Sequence, residues 1–201
     1  MSDGKYSICV LASGNGSTMQ SIVDACNTGY LSGRVVEMVT DNPLAFAIRR
    51  AEREGIRATV IDRKGMQKHE FDSSLHSRLT ALEPDLICLA GYLRILSHET
   101  VSAFPMRILN IHPSLLPRYG GKGMYGLKVH KAVLENGEKV SGCTVHFVTD
   151  DVDGGPVIVQ RQVRVLPGDT PEALMHRVHA EELKAYPSAI KMVMEDGFLP
   201  R

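Results

Sequence analysis

The stretch Ile108-Leu109-Asn110-Ile111-His112-Pro113-Ser114 decides how this sequence is read. Its apolar residues mark the end of a strand, and the strand period of two aims Asn110 and His112 at the same face. Upstream, strand and helix patterns alternate. Tyr6 to Leu11 is a short apolar run, followed by Ser13-Gly14-Asn15-Gly16-Ser17 and a helical face of Met19, Ile22, Val23 and Cys26. Val35 to Val39 and Thr59 to Ile61 read as strands, and Leu44 to Arg53 and about Lys68 to Leu82 as helices. Asp85-Leu86-Ile87-Cys88-Leu89-Ala90 is a nearly continuous apolar run, the pattern of a strand covered on both faces. The alternation predicts an α/β fold with one doubly wound, mostly parallel sheet and helices on both faces. Downstream the pattern changes. Gly142 to Val148 and Pro156 to Val165 are extended segments joined by an acidic, glycine-containing loop, which predicts an antiparallel C-terminal strand region. Thr170-Pro171-Glu172 opens a last helix with a threonine cap and proline at the first helical position. Pro187 is expected to interrupt that helix, and Gly197 to end its remaining part.

The chain has 201 residues, enough to bury a sizeable core, and the expectation is a single domain over residues 1–201. Lys+Arg and Asp+Glu number 23 each, so no net charge draws the chain to nucleic acid or an anionic membrane. Small-molecule substrates are the expected partners, with monomer and homodimer both open. The four cysteines are scattered without a CxxC pair, which argues against zinc or a disulfide framework. Neither a signal-peptide pattern nor an apolar run long enough for a membrane span is present, and a cytoplasmic location is expected.

The run Ser13-Gly14-Asn15-Gly16-Ser17, between a strand and a helix, is suited to an anion. Glycines let the backbone approach closely, and the free amides of the helix N-terminus face the ligand. A plain tight turn is the competing reading. A Walker loop would need a longer spacer and a lysine, and a dinucleotide fingerprint would need glycine where Met19 stands. A single phosphate monoester fits better than a pyrophosphate.

An amide donor at Asn110 and an imidazole at His112 are able to stabilise an oxyanion, and the imidazole also moves protons. The segment Thr149-Asp150-Asp151-Val152-Asp153-Gly154-Gly155-Pro156 adds a carboxylate at a glycine turn. A carboxylate beside His112 would hold and charge its ring. Taken singly these are weak signals: a histidine at a strand end is more often structural, and Asp before Gly-Gly is more often a turn residue. His146, inside Thr144-Val145-His146-Phe147-Val148, reads as mainly structural or supporting.

Leu109-Asn110-Ile111-His112-Pro113-Ser114-Leu115-Leu116-Pro117 resembles the central signature of the folate-dependent formyltransferases. Gly142 to Val148, followed by Asp153-Gly154-Gly155-Pro156, resembles their second signature, and Ser13 to Ser17 resembles the purine-pathway branch. The likeness runs from Tyr6 to about Leu199. It implies the formyltransferase fold and transfer of formyl from 10-formyltetrahydrofolate, a co-substrate, to the primary amine of glycinamide ribonucleotide, without a metal. It further implies that Asn110 and protonated His112 stabilise the tetrahedral oxyanion, and that Asp153 pairs with His112 and relays a proton through water. Gly16, Ser17 and Thr18 would hold the phosphate, and Glu182 the ribonucleotide. Leu93, Arg94, Ile95, Leu96 and Asn110 would meet the folate, with Thr149, Asp150, Asp151, Val152 and Asp153 as the other wall and Lys68 near the folate tail.

Three positions depart from the family pattern. Thr18 stands where asparagine is common, and Lys68 replaces an arginine and its bidentate fork. The stretch Arg118 to Gly126 is longer and richer in glycine than in many members, as either a mobile active-site loop or a passive surface insertion. Three other activities stay open. Hydrolysis of 10-formyltetrahydrofolate would use the same three residues, but such enzymes carry an N-terminal regulatory domain for which little room is expected. Formylation of initiator tRNA calls for a C-terminal domain and RNA-binding charge. A non-catalytic binding protein on the same fold is weighed against by Asn110, His112 and Asp153 standing together.

Overall fold

The computed structural model describes residues 5–196, so the expected stop at Gly197 lies outside the described residues. Five parallel strands come first: β1 (Tyr6–Leu11), β2 (Gly33–Thr40), β3 (Arg57–Val60), β4 (Leu86–Leu89) and β5 (Ile108–His112). They alternate with helices α1 (Ser17–Asn27), α2 (Ala47–Arg53), α3 (Lys68–Leu82) and α4 (His98–Ala103). After α5 (Leu127–Glu135) the strands β6 (Val140–Phe147) and β7 (Val157–Arg164) add antiparallel, and α6 (Pro171–Glu195) closes the order. The seven strands form one sheet in the order β3-β2-β1-β4-β5-β6-β7. The expected mostly parallel sheet with an antiparallel C-terminal region is what is found.

Alternation along each strand builds two cores. Ile8, Val10, Leu86, Cys88 and Leu109 pack on the face that carries α1 and α6, while Cys9, Leu11, Ile87 and Leu89 pack against Phe71, Leu75 and Leu79 of α3. Every residue of β4 is therefore buried, which is why that segment reads as a continuous apolar run.

Three local expectations need correction. Helix α2 starts at Ala47 rather than Leu44, because the Asn42 side chain accepts from the Leu44 amide at 2.9 Å and its carbonyl from the Ala45 amide at 3.0 Å, folding the approach into a turn. Helices α4 and α5 were not anticipated. Both are short, although Ser97 caps the first through the Thr100 amide at 3.2 Å, and Val129 and Val133 give the second an apolar stripe. Finally, Pro187 does not interrupt α6, which runs unbroken from Pro171 to Glu195. A helix-interior proline costs about 3 kcal/mol. Tyr186, Ala189 and Ile190 are wholly buried beside it, and burial of each large apolar side chain contributes roughly 1.5–3 kcal/mol. Packing wins. The Tyr186 hydroxyl also reaches the carbonyls of Leu89 (3.1 Å) and Leu109 (2.9 Å), tying α6 to β4 and β5.

Candidate active site

The chain leaves β1 towards β2 on one side, while β4 lies on the other, so the loops after β1 and β4 part at their carboxyl ends. A cavity of about 900 Å³ opens there, walled by Gly14 to Thr18, Gly91 to Leu96, the end of β5, the loop before α5 and one face of α6. Its two sides are stitched together: the Ser13 amide donates to the Gly91 carbonyl (3.2 Å), and the Leu93 amide to Ser13 Oγ (3.0 Å).

Asn110 and His112 project from one face of β5, as the period of two requires, and both meet Asp153. Asn110 Nδ2 is 3.5 Å from Asp153 Oδ1, and His112 Nδ1 is 3.4 Å from Asp153 Oδ2. His112 is buried, and its Nε2–H donates to the Tyr119 carbonyl at 2.8 Å. Both ring nitrogens thus face acceptors, and the doubly protonated ring is the form that donates to each. Burial pushes the Asp153 carboxyl up, but the neighbouring His146 and His112 rings and the Gly121 amide together hold it below its ordinary value. Asp153 has φ 58°, a left-handed conformation that aspartate tolerates better than most residues. The second glycine after it is constrained by space: a Cβ on Gly155 would sit 1.9 Å from the Phe147 carbonyl oxygen.

His146 is more closely involved than its place inside a strand suggested. The antiparallel register sets it opposite Asn110, and an irregularity between Val145 and His146 shifts the pairing with β7 at that point. Its Nδ1–H donates to the Phe147 carbonyl at 2.8 Å, so in the neutral ring Nε2 accepts from Asn110 Nδ2 at 3.2 Å. A second proton would turn that nitrogen towards Asp153 Oδ1, 3.6 Å away.

The glycine-rich stretch borders the same cavity. Gly121 to Gly126 line it, and the Gly121 amide donates to Asp153 Oδ2 at 2.9 Å. At the other end, Gly16 takes φ 76° and leads into α1, whose start has no side-chain cap. The first amides of α1 therefore stand open to the cavity that Gly16, Ser17 and Thr18 line. Ser17 Oγ is 2.8 Å from His179 Nε2, and His179 Nδ1 is 2.7 Å from Glu182 Oε2. His130 lies on the wall too, buried, with no partner for its Nδ1 among the described residues, and burial lowers its pKa. His130 and His179 went unremarked in the sequence because neither belongs to a recognised motif. For His179 the signal is helical spacing: Met175, His176, His179 and Glu182 recur on the one face of α6 that meets the cavity.

The expected folate residues divide. Leu93, Arg94, Ile95, Leu96, Thr149, Asp151, Val152 and Asp153 line the cavity, and Leu93 and Ile95 are exposed apolar residues at its rim. Arg94 is also bound to Asp41 at 2.6 Å. Asp150 is instead 2.8 Å from His98, and Lys68, at the start of α3, pairs with Asp72; neither lies on the cavity wall. Among the described residues no group of three or more His, Cys, Asp or Glu side chains is disposed to hold a metal ion, and no helix is long and apolar enough to cross a membrane.

Comparison with known proteins agrees with this layout. The formyl transferase family profile matches residues 6–190. The chain is 42% identical over 191 residues to the chloroplastic phosphoribosylglycinamide formyltransferase of Arabidopsis thaliana, covering 94% of this chain and 65% of that protein. It is also 42% identical over 184 residues to the phosphoribosylglycinamide formyltransferase of Escherichia coli (strain K12), covering 91% and 84%. Among solved structures it resembles glycinamide ribonucleotide transformylase 1 from Symbiobacterium toebii, with a TM-score of 0.90 and 45% identity over 96% of this chain and 90% of that one. The chain thus spans just under two thirds of the plant relative's length and most of the bacterial ones.

Proposed function

The chain belongs to the formyl transferase family, and we propose that it moves the formyl group of 10-formyltetrahydrofolate to the primary amine of glycinamide ribonucleotide. The observation that carries this reading is one cavity with two chemically different ends. At one end Asn110 and His112 converge on Asp153 within 3.5 Å; at the other a capless helix start beside Gly16 and Ser17 suits a phosphate.

The amine nitrogen attacks the formyl carbon, and the carbonyl oxygen gains negative charge. The Asn110 amide donates to that oxygen, and so does the His112 imidazolium through Nδ1–H, whose resting contact to Asp153 Oδ2 is long at 3.4 Å while Nε2–H stays on the Tyr119 carbonyl. Asp153 holds the His112 ring and, through water, carries a proton from the attacking amine to the leaving folate nitrogen. Gly16, Ser17 and Thr18 hold the ribonucleotide phosphate and Glu182 its sugar. Leu93 to Leu96 and Thr149 to Asp153 enclose the folate, and Lys68 and Asp150 contribute at most from outside the wall. The protein works as one domain, as monomer or homodimer, in the cytoplasm on small molecules, without nucleic acid, membrane or metal.

The test is incubation with 10-formyltetrahydrofolate, with and without glycinamide ribonucleotide. Deformylation that depends on the amine supports this reading. Formate release without the amine makes the protein a hydrolase, and no reaction makes it a binding protein.

A further inference from the structure

Ser17 has one hydroxyl proton, and its direction depends on His179. The ring is held at both nitrogens, by Ser17 Oγ at 2.8 Å and by Glu182 Oε2 at 2.7 Å. A carboxylate only accepts, so Nδ1 carries a proton in any favourable arrangement. When the ring is neutral, Nε2 is a bare lone pair and takes the Ser17 proton. When the ring is protonated, Nε2–H donates to Ser17 Oγ, and the hydroxyl proton is released towards the cavity. We propose that His179 is a pH-dependent positioning residue which, when protonated, turns the Ser17 hydroxyl outward as a donor to the ribonucleotide phosphate. The inference rests on the proposed substrate, and it adds a regulation of that site.

The surroundings favour this role. The hydrogen bond that His179 donates to Glu182 raises its pKa against the opposing effect of burial. The other titratable groups around it are few. On α6 itself they are Glu182 and His176; from α5 comes His130, whose buried Nδ1 has no partner among the described residues. On the shared wall, α1 contributes the uncharged Ser17 and Thr18, and β5 contributes His112. From β7, Arg161 is 3.7 Å from Glu181, and from β6 the Cys143 thiol is pushed up to about 12 by burial. Among the described residues the cavity's arginine and lysine side chains are Arg94, which is bound to Asp41, and Lys122 in the loop before α5, and the His112 imidazolium stands at the reaction end. A protonated His179 therefore adds charge as well as direction at the phosphate end.

The experiment is a pH series from 5.5 to 9 of ribonucleotide affinity by calorimetry and of both KM values in the transfer assay. The phosphate's own second ionisation, near about 6, raises affinity with pH. The proposal adds a fall at higher pH of roughly tenfold, the cost of one hydrogen bond to a charged group, while the folate KM stays flat. Ser17→Ala should keep the rise at about pH 6 but level off roughly tenfold below the native maximum, with only the smaller fall that the His179 charge alone contributes. His179→Gln should abolish the high-pH fall and leave only the rise and a plateau. If native affinity rises and then stays level, or if His179→Gln keeps the fall, the proposal is overturned. Absence of any ribonucleotide-dependent transfer at every pH would overturn the substrate assignment instead, a separate outcome.

Discussion

Asn110 and His146 are register partners across the antiparallel β5–β6 pair, and their side-chain nitrogens approach to 3.2 Å. The ring thereby sets which way the Asn110 amide points, so the two should act as a unit. Asn110→Ala is expected to lower kcat by on the order of 10²–10³-fold, as for loss of an oxyanion donor. His146→Leu should cost less alone and almost nothing further in the Asn110→Ala background. Additive losses in that double-mutant cycle would mean that His146 acts independently of the amide.

Asp153→Asn removes the charge but keeps a residue that tolerates the left-handed backbone at φ 58°. Turnover should fall by at least about 100-fold, with folate affinity nearly native. Single-turnover kinetics and folate titration separate the two. Near-native turnover would remove Asp153 from the proton path.

Gly16 tests the phosphate end. A Cβ there would lie 2.8 Å from Ala47 Cβ, on a backbone at φ 76° that disfavours side chains. Gly16→Val should displace the first amides of α1 and raise the ribonucleotide KM at least about tenfold, roughly the loss of one charged hydrogen bond. The folate KM should move far less. An unchanged ribonucleotide KM would take the phosphate away from this loop.

Deleting Lys122 to Gly126 distinguishes a working loop from a passive insertion. These residues line the cavity, and the adjoining Gly121 amide holds Asp153. The deletion is expected to lower kcat/KM by more than about tenfold while the folded baseline in circular dichroism persists. Native kinetics in the deleted protein would show the insertion to be passive.

A stability prediction concerns Asp169, which accepts two hydrogen bonds from Arg177 at 2.8 Å each. Those bonds hold its pKa at about 2, below the ordinary 3.8. A depressed carboxylate stabilises the fold above its unfolded value and loses that contribution as pH falls through its folded one. Asp169→Asn should therefore lower Tm at pH 7, with the gap to the native protein closing between pH 4 and 2. A gap that is constant with pH would assign the effect to packing.

The sheet was legible because β4 and β5 are short, apolar and bounded by turn residues. Asn110, His112 and Asp153 stood out only because strand parity and two motifs framed them. The partners of His146, and His130 and His179 altogether, were hidden for a different reason. Their neighbours are set by cross-strand register and by one helix packing over a loop, contacts between residues as far apart as Ser17 and His179. No local pattern encodes such pairs. Pro187 misled for the same reason, since a local rule lost to the burial around Tyr186.

The Tyr186 hydroxyl, in reach of the Leu89 and Leu109 carbonyls, has a consequence for which acceptors the protein admits. It pins the helix that bears His179 and Glu182 to the strand that bears Asn110 and His112. In the proposed transfer, His179 beside the Ser17 hydroxyl and the Asn110–His112 centre would then belong to one frame, which would work as a ruler. An amine would be offered to the formyl carbon only when its distance from the phosphate matches that span.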